Sequence, residues 1–118
     1  MTVKSYQELI VWKKSIILAK EIYSLTKSFP KEEIFGLTSQ LRRASVSVPS
    51  NIAEGQSRST LDFKRFLTIA KGSLAEVETQ LIIAKELGYL SSSQFENIIS
   101  LADEVGKMLS GLYRSLNK

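Results

Sequence analysis

The sequence predicts an all-α protein: an antiparallel up-down-up-down four-helix bundle whose second helix is kinked at a proline. Three observations support this fold. Apolar residues recur every three or four positions in four successive segments, which is the period of an amphipathic helix. Short polar links with capping residues or glycine separate these segments. No stretch keeps the period of two that a strand requires, and four helices of about 20–28 residues with short links form such a bundle.

The first helix is predicted to begin at the capping-box pattern S-Y-Q-E of residues 5–8 and to run to about Lys27. It carries two apolar stripes, which is more than one side of a bundle needs. The first stripe comprises Leu9, Trp12, Ile16, Ala19 and Tyr23. The second comprises Val11, Leu18, Ile22 and Leu25. We expect the second stripe to contact another subunit; the alternative is a central helix that is heavily buried within its own chain.

The second helix contains a proline. Pro30 ends the first helix, because proline disfavours helical geometry in the residue before it. Pro49 lacks the N–H that would bond the carbonyl of Ser45, so we predict a continuous helix kinked near Ser45, with serine hydroxyls bonding the freed carbonyls. The alternative is that Pro49 begins a new helix. Gly55 is predicted to end the segment in a left-handed conformation. The core positions are Ile34, Leu37, Leu41, Val48 and Ile52.

The third helix has the most regular apolar spacing in the chain, and Ser59 or Thr60 is predicted to cap it. Gly72 interrupts this helix at a cost of about 1 kcal/mol relative to alanine. This cost indicates that a neighbouring helix or a ligand approaches the backbone there. The core positions are Phe63, Phe66, Leu67, Ala70, Leu74, Val77, Leu81 and Ala84.

Gly88 is predicted to stop the third helix. The S-Q-F-E pattern of residues 93–96 predicts a second capping box, at the start of the fourth helix. Leu101 and Met108 lie beside the apolar stripe of this helix and indicate a wider contact surface. The stripe itself comprises Phe95, Ile98, Ala102, Val105, Leu109, Leu112, Tyr113 and Leu116.

Length and composition indicate one domain, residues 1–118, which can bury about two-thirds of the surface of the unfolded chain. The longest apolar runs have four residues, far short of a membrane span, and no signal peptide precedes the first helix. The chain has no cysteine, so it forms no disulfide and no thiolate metal site. We therefore expect a soluble cytoplasmic protein without a cofactor.

The formal net charge of +4 is concentrated in one part of the chain. Residues 41–72 contain six basic and two acidic residues, whereas the remainder contains ten of each. Such a zone can bind phosphates or an acidic partner protein. The alternative is a solvated face that serves solubility.

Enzymatic activity is not expected. The chain has no histidine, which excludes Ser-His and Cys-His nucleophiles and the Glu-x-x-His motif of di-iron bundles. It also has no glycine-rich phosphate loop. Glu76 and Glu78 point to different sides of their helix, so they do not form a metal site together. We expect Glu54 to form a salt bridge near Arg42 or Arg43, and one of these two arginines to face a phosphate or another subunit.

Two motifs carry a family resemblance. The run L-R-R-A-S-V-S-V-P-S-N-I-A-E-G of residues 41–55, followed by F-x-x-F-L-x-I-A-x-G-S-L-A-E at residues 63–76, resembles the four-helix-bundle protein family. The motifs V-W-K at residues 11–13 and L-G-Y-L at residues 87–90 also fit. Members of this family are also called 23S rRNA intervening-sequence proteins, since they are encoded within inserts of bacterial large-subunit rRNA genes. The resemblance covers nearly the whole chain.

The resemblance implies a bacterial four-helix bundle that assembles into a ring, typically a homopentamer. A related accessory protein of diversity-generating retroelements forms a basic barrel that binds nucleic acid and a reverse transcriptase. By that similarity, the residues expected to bind nucleic acid, RNA in particular, or a protein partner are Arg42, Arg43, Arg58, Lys64 and Arg65. Two functions remain open: a non-enzymatic RNA-binding oligomer and a structural adaptor ring that binds a protein.

Overall fold

The computed structural model describes residues 5–117, which form four α-helices and two short 3-10 turns. Helix α1 comprises Ile10–Thr26, α2 Leu37–Gln56, α3 Thr60–Glu86 and α4 Ser92–Ser115. The two turns, Tyr6–Glu8 and Lys31–Glu33, precede α1 and α2. No strand occurs between residues 5 and 117, so the predicted all-α bundle is confirmed. The bundle measures 45 × 25 × 19 Å.

Contacts between α2 and α3 follow opposite residue order. Ser47 of α2 hydrogen-bonds Ser73 of α3 at 2.9 Å, and the earlier residue Gln40 meets the later residue Gln80 at 3.5 Å. This is the order expected of helices that run in opposite directions. Helix α1 packs against α2 and α4, and α3 packs against the same two helices, but no Cα atom of α1 lies within 8 Å of a Cα atom of α3. They therefore lie at opposite corners of the bundle.

The second stripe of α1 lies inside the protomer. Leu18 and Ile22 are fully buried, Val11 is nearly so, and Leu25 packs partly buried against the core. The predicted intersubunit role is therefore wrong for the three buried residues, because a side chain enclosed by its own helices cannot reach another subunit. The alternative, a central helix that is heavily buried, is not what the structure shows either, because among the described helices α1 packs only on α2 and α4 and exposes Ile10 and Ile17. Tyr23, from the other stripe, is exposed.

Two predicted helix starts differ from the observed ones. Ser5 accepts a hydrogen bond from the backbone N–H of Gln7, but it caps the first 3-10 turn, and α1 begins only after Leu9. The capping box of α4 pairs Ser91 with Gln94, two residues before the predicted pattern. Before α4, three successive serines at positions 91–93 each offer a capping hydroxyl, and the local sequence does not rank them. Ser59 caps α3 as one of the two predicted choices.

Helix α2 continues through Pro49, so the alternative of a new helix starting at this proline is wrong. The hydroxyl of Ser45 donates to the carbonyl of Arg42, and that of Ser50 donates to the carbonyl of Val46. Neither bond reaches the carbonyl of Ser45, which is the one that Pro49 leaves without its helical partner, so these bonds do not confirm the prediction for the freed carbonyl. A kink at Pro49 stays a prediction.

Gly55 does not end α2, because the helix extends to Gln56 and Gly88 is the only residue with a positive φ among residues 5–117. A Cβ on Gly55 would lie 2.6 Å from the Cβ of Phe66. The glycine therefore allows α3 to approach α2. Gly72 is the reverse case, since an added Cβ would meet nothing within 4 Å, and no helix of its own chain approaches it.

Helix α3 ends at a glycine as predicted. Gly88 has a φ of 81°, and the N–H groups of Gly88 and Tyr89 donate to the carbonyls of Lys85 and Ala84. This pair of bonds is a Schellman motif. The phenolic hydroxyl of Tyr89 also donates to a carboxylate oxygen of Glu33 at 2.9 Å, so the α3–α4 link is tied to the turn before α2.

None of the helices formed by residues 5–117 is long and apolar enough to cross a membrane.

Candidate nucleic-acid interface

The five basic residues predicted to bind nucleic acid lie in two groups rather than on one face. Arg42 and Arg43 lie in the N-terminal half of α2, whereas Arg58, Lys64 and Arg65 lie around the start of α3. Fifteen residues separate Arg43 from Arg58, which is about 22 Å along a helix axis at about 1.5 Å per residue.

Arg42 holds α1 and α2 together. Its Nε donates to the buried hydroxyl of Thr26 at 2.9 Å, and its Nη2 lies 3.5 Å from the carbonyl oxygen of Tyr23. Its guanidinium also lies over the Tyr23 ring, 4.7 Å from the centroid. A cation at the C-terminal end of α1 is favourable, because the last carbonyls of a helix carry partial negative charge. The predicted salt bridge between Glu54 and Arg42 or Arg43 is not formed.

Arg43 is exposed and lines a cleft between α2 and α3 that has a volume of about 570 Å³. Glu76 and the loop residue Phe35 line the same cleft. Neither Arg43 nor Glu76 takes part in an ion pair within residues 5–117. Of the two adjacent arginines, Arg43 is therefore the one available to a ligand.

Arg58 is paired with Glu54, the acid for which a salt bridge was predicted with other arginines. Its Nη2 and Nε lie 2.7 and 3.1 Å from the same carboxylate oxygen. The hydrogen bond and the charge of Glu54 raise the pKa of Arg58 above its ordinary value. The guanidinium also lies over the Phe66 ring. The charge that Arg58 was predicted to offer a phosphate is thus offset by its neighbour.

Lys64 and Arg65 have no acidic partner in the described part of the chain. The ammonium of Lys64 lies 5.3 Å from the centroid of the Tyr113 ring, which brings the start of α3 against the end of α4. Arg65 follows on the outer surface and is exposed. These two residues are the free cations of the predicted set at this end.

Sequence reasoning missed two further cations beside them. Lys71 of α3 and Arg114 of α4 line the same groove, which has cavity volumes of about 400 and 370 Å³ in two parts. Both residues line both parts, and neither forms an ion pair with any residue between 5 and 117. Lys71 belongs to the basic segment, but Arg114 is more than forty positions away. Only the pairing of α3 with α4 brings them together.

The far end of this groove is acidic. Glu78 and Asp103 line it, and Lys107 is 3.6 Å from Asp103. Burial, together with the negative charge of Asp103, raises the pKa of Glu78 above its ordinary value of 4.5. The described chain contains no group of three or more acidic, histidine or cysteine residues that could hold a metal ion.

Three helices also expose large apolar residues. Helix α1 exposes Ile10, Ile17 and Tyr23, α2 exposes Val46, and α3 exposes Leu61, Ile69, Ile82 and Ile83, with Leu87 directly after its end. The loop between α1 and α2 exposes Ile34 and Phe35, and Phe35 is 94% exposed. Helix α4 has no such residue among its large apolar side chains.

Comparison with known proteins agrees with the fold. A solved structure of a protein of unknown function from the S23 ribosomal protein family of Bacteroides thetaiotaomicron is similar, with a TM-score of 0.82 and 29% sequence identity. The similarity covers 89% of this chain and 96% of that one. No curated protein sequence matches. The family model described as 23S rRNA-intervening sequence protein matches residues 7–111. The chain therefore belongs to the 23S rRNA-intervening sequence protein family.

Proposed function

We propose that this protein is a non-enzymatic cytoplasmic homo-oligomer, a pentameric ring, that binds structured RNA through basic residues at one end of each protomer. The observation that carries the proposal is the group of unpaired cations where α3 begins and α4 ends. Lys64, Arg65, Lys71 and Arg114 gather there without an acidic partner among residues 5–117. Polynucleotide phosphates are the ligands that unpaired lysine and arginine groups bind with release of counterions.

The outer surfaces of α1 and α3 support self-association. Both expose apolar residues, and they lie at opposite corners of the protomer. If the α1 surface of one copy packs on the α3 surface of the next copy, the contact is head-to-tail. Such contacts close into a ring when the rotation between successive copies permits it.

A ring would also strengthen RNA binding. Each protomer has an excess of about four positive charges in the basic segment, so five copies would carry about +20. Binding of this kind is weakly selective for sequence and weakens steeply as salt is added. The arrangement needs no deep pocket or catalytic group, in agreement with the open grooves of the bundle.

The RNA proposal is tested with charge reversal. Purified protein is first assayed for co-purified nucleic acid by absorbance, and binding to a labelled RNA hairpin is then measured at low and at physiological salt. We expect K64E/R65E to abolish low-salt retention; the native mass of each variant is measured alongside, so that loss of binding is distinguished from loss of the assembly. The matched control is K31E/K85E, which makes the same charge change at the opposite end of the bundle. If the wild type shows no salt-sensitive binding, or both variants lose it equally, the proposal is wrong.

The ring is tested at Ile83. This residue lies on the outer side of α3 and is 44% exposed, while Val46 on the outer side of α2 is 42% exposed. We expect the native mass of the wild type to be five times that of the protomer. I83E should reduce it to the protomer, because a carboxylate would be buried against the next copy, whereas V46E should not. A wild type that is monomeric at micromolar concentration, or equal masses for both variants, would contradict the head-to-tail contact.

One observation favours the second function, a structural adaptor for a protein. Phe35 projects almost fully exposed beside the α2–α3 cleft that Arg43 and Glu76 line. An exposed aromatic side chain next to a polar cleft is typical of an anchor at a protein interface. Capture of one acidic protein by the wild type, its loss in F35A and the absence of RNA binding would together favour the adaptor over the RNA-binding ring.

A further inference from the structure

We propose that the groove between α3 and α4 is a phosphate-binding site, in which Lys71 and Arg114 hold a phosphodiester group of an RNA strand. This inference rests on the proposed RNA binding and assigns it to two residues that are not among the five candidates predicted from the sequence.

The groove exists because the helices present small side chains along it. A Cβ on Gly106 of α4 would lie 3.2 Å from Cδ2 of Leu74 on α3, so the absence of a side chain lets the helices approach closely there. Ala75 and Ser110 line the opening with short side chains. The longer side chains of Lys71 and Arg114 therefore flank an open trough instead of a filled surface.

Both flanking cations are available to a ligand. Arg114 and Lys71 form no ion pair in the structure of residues 5–117, whereas the neighbouring Lys107 is 3.6 Å from Asp103. A Cβ on Gly111 would lie 3.9 Å from Nη2 of Arg114, so this glycine leaves the guanidinium room to lie along α4. Guanidinium groups bind phosphate oxygens in a bidentate manner, and an ammonium adds a point charge.

The hydroxyl of Ser110 adds an uncharged donor. It lines both parts of the groove and forms no hydrogen bond with any described residue. The nearby hydroxyl of Thr68 already donates to the carbonyl of Lys64 at 3.1 Å. Ser110 is thus the hydroxyl that can donate to a phosphate oxygen held between the two cations.

The charge distribution also determines the path that an RNA strand takes across the groove. Glu78 and Asp103 line the far end of the groove, and their carboxylates repel phosphates. A polynucleotide that ran along the whole groove would meet this repulsion. It therefore crosses the basic end, from Arg114 and Lys71 towards Lys64 above the Tyr113 ring.

The test uses the neutral variant K71Q/R114Q and the full chain. Binding of a labelled oligouridylate and of a labelled RNA hairpin is measured by fluorescence anisotropy over a range of salt concentrations. We expect affinity at low salt to fall on the order of tenfold or more, and the slope of log affinity against log salt to become shallower by about 0.7 for the single strand, since the contact with one phosphate is lost. The matched control K31Q/K85Q, at the opposite end, should keep the slope of the wild type.

Two further measurements distinguish specific phosphate binding from nonspecific electrostatic attraction of any polyanion. S110A should bind the single strand about two- to tenfold more weakly with an unchanged salt slope, because it loses a neutral hydrogen bond, whereas S100A on the exposed side of α4 should bind as the wild type does. Polyglutamate should compete poorly with RNA. If polyglutamate competes as well as unlabelled RNA, the groove binds acidic proteins and the proposal is wrong.

Failure of the phosphate site and failure of the proposed function give different results. If the wild type binds RNA and K71Q/R114Q behaves as the control does, the groove is not the site, while the proposed function stands. If the wild type binds no RNA, the proposed function fails and the phosphate site fails with it. Circular dichroism of each variant shows whether the helices are intact, so that loss of binding is not loss of fold.

Discussion

At the scale of single residues, two helical glycines have opposite surroundings. Gly55 is buried where α2 meets α3, and its hydrogen atom occupies space that a methyl group would have to share with Phe66. Gly72 is exposed on α3, and an added Cβ would touch nothing within 4 Å. Without tertiary contacts, the two glycines would reduce helix stability by similar amounts. The effect of an added side chain on the free energy of unfolding therefore depends on the atoms that surround each position.

The two glycines therefore predict opposite changes in stability. G55A should lower the free energy of unfolding by about 1–3 kcal/mol, because an atom 2.6 Å from Phe66 must displace the helix or the ring. G72A should raise it by about 1 kcal/mol through helix propensity alone. Denaturant unfolding monitored by circular dichroism measures both. A G55A protein as stable as the wild type would show that α2 and α3 are not packed as described.

At the scale of helices, Arg42 joins two elements that the sequence presents as separate. It reaches from α2 to the hydroxyl of Thr26 and the ring of Tyr23 on α1. Thr26 is buried, and its own hydroxyl donates to the carbonyl of Ile22 at 2.8 Å, so it needs a donor such as Arg42 to satisfy its remaining acceptor capacity. The contact fixes the end of α1 against α2.

We expect R42A to destabilise the protein by about 1–3 kcal/mol, because it removes a charge-assisted hydrogen bond and a cation–π contact. R43A, one position further along the same helix, removes an exposed side chain and should change stability by less than about 0.5 kcal/mol. The comparison uses thermal unfolding at equal protein concentration. Equal losses for the two variants would mean that Arg42 does not hold the helices together.

At the scale of the whole molecule, the packing of α3 against α4 brings together two carboxylates that are far apart in the sequence. Glu78 and Asp103 share the acidic end of the groove, and burial and this neighbouring charge raise the pKa of Glu78. The folded protein therefore holds the proton on Glu78 more tightly than the unfolded chain does. Its ionisation works against folding, so stability falls as the pH rises through the interval between 4.5 and the folded pKa.

We expect E78Q to be more stable than the wild type at neutral pH, where ionised Glu78 is destabilising. The difference should shrink as the pH falls towards and below 4.5, where the wild-type carboxyl is protonated in both states. E76Q, which changes an exposed carboxylate two positions away, is the control and should stay near the wild type at each pH. A pH-independent difference between E78Q and the wild type would contradict this account.

The sequence by itself determined the helical segments and much of their core. Leu41, Val48 and Ile52 of α2 and Leu67, Leu74 and Leu81 of α3 are buried at the positions that their spacing predicts. Local sequence patterns also predicted the cap at Ser59 and the end of α3 at Gly88, because a capping hydroxyl and a positive φ depend on the neighbouring backbone.

Only the tertiary structure decided which stripe of α1 is internal and which cations are free. Val11, Leu18 and Ile22 and the more exposed Tyr23 have similar helical spacing, and the orientation of α1 against α2 and α4 separates them. Arg42 and Arg58 are held by partners, whereas Arg114 and Lys71 line one groove without an ion pair among residues 5–117. Periodicity reports how residues are spaced along one helix, while pairing and availability depend on how the helices are rotated and aligned against one another.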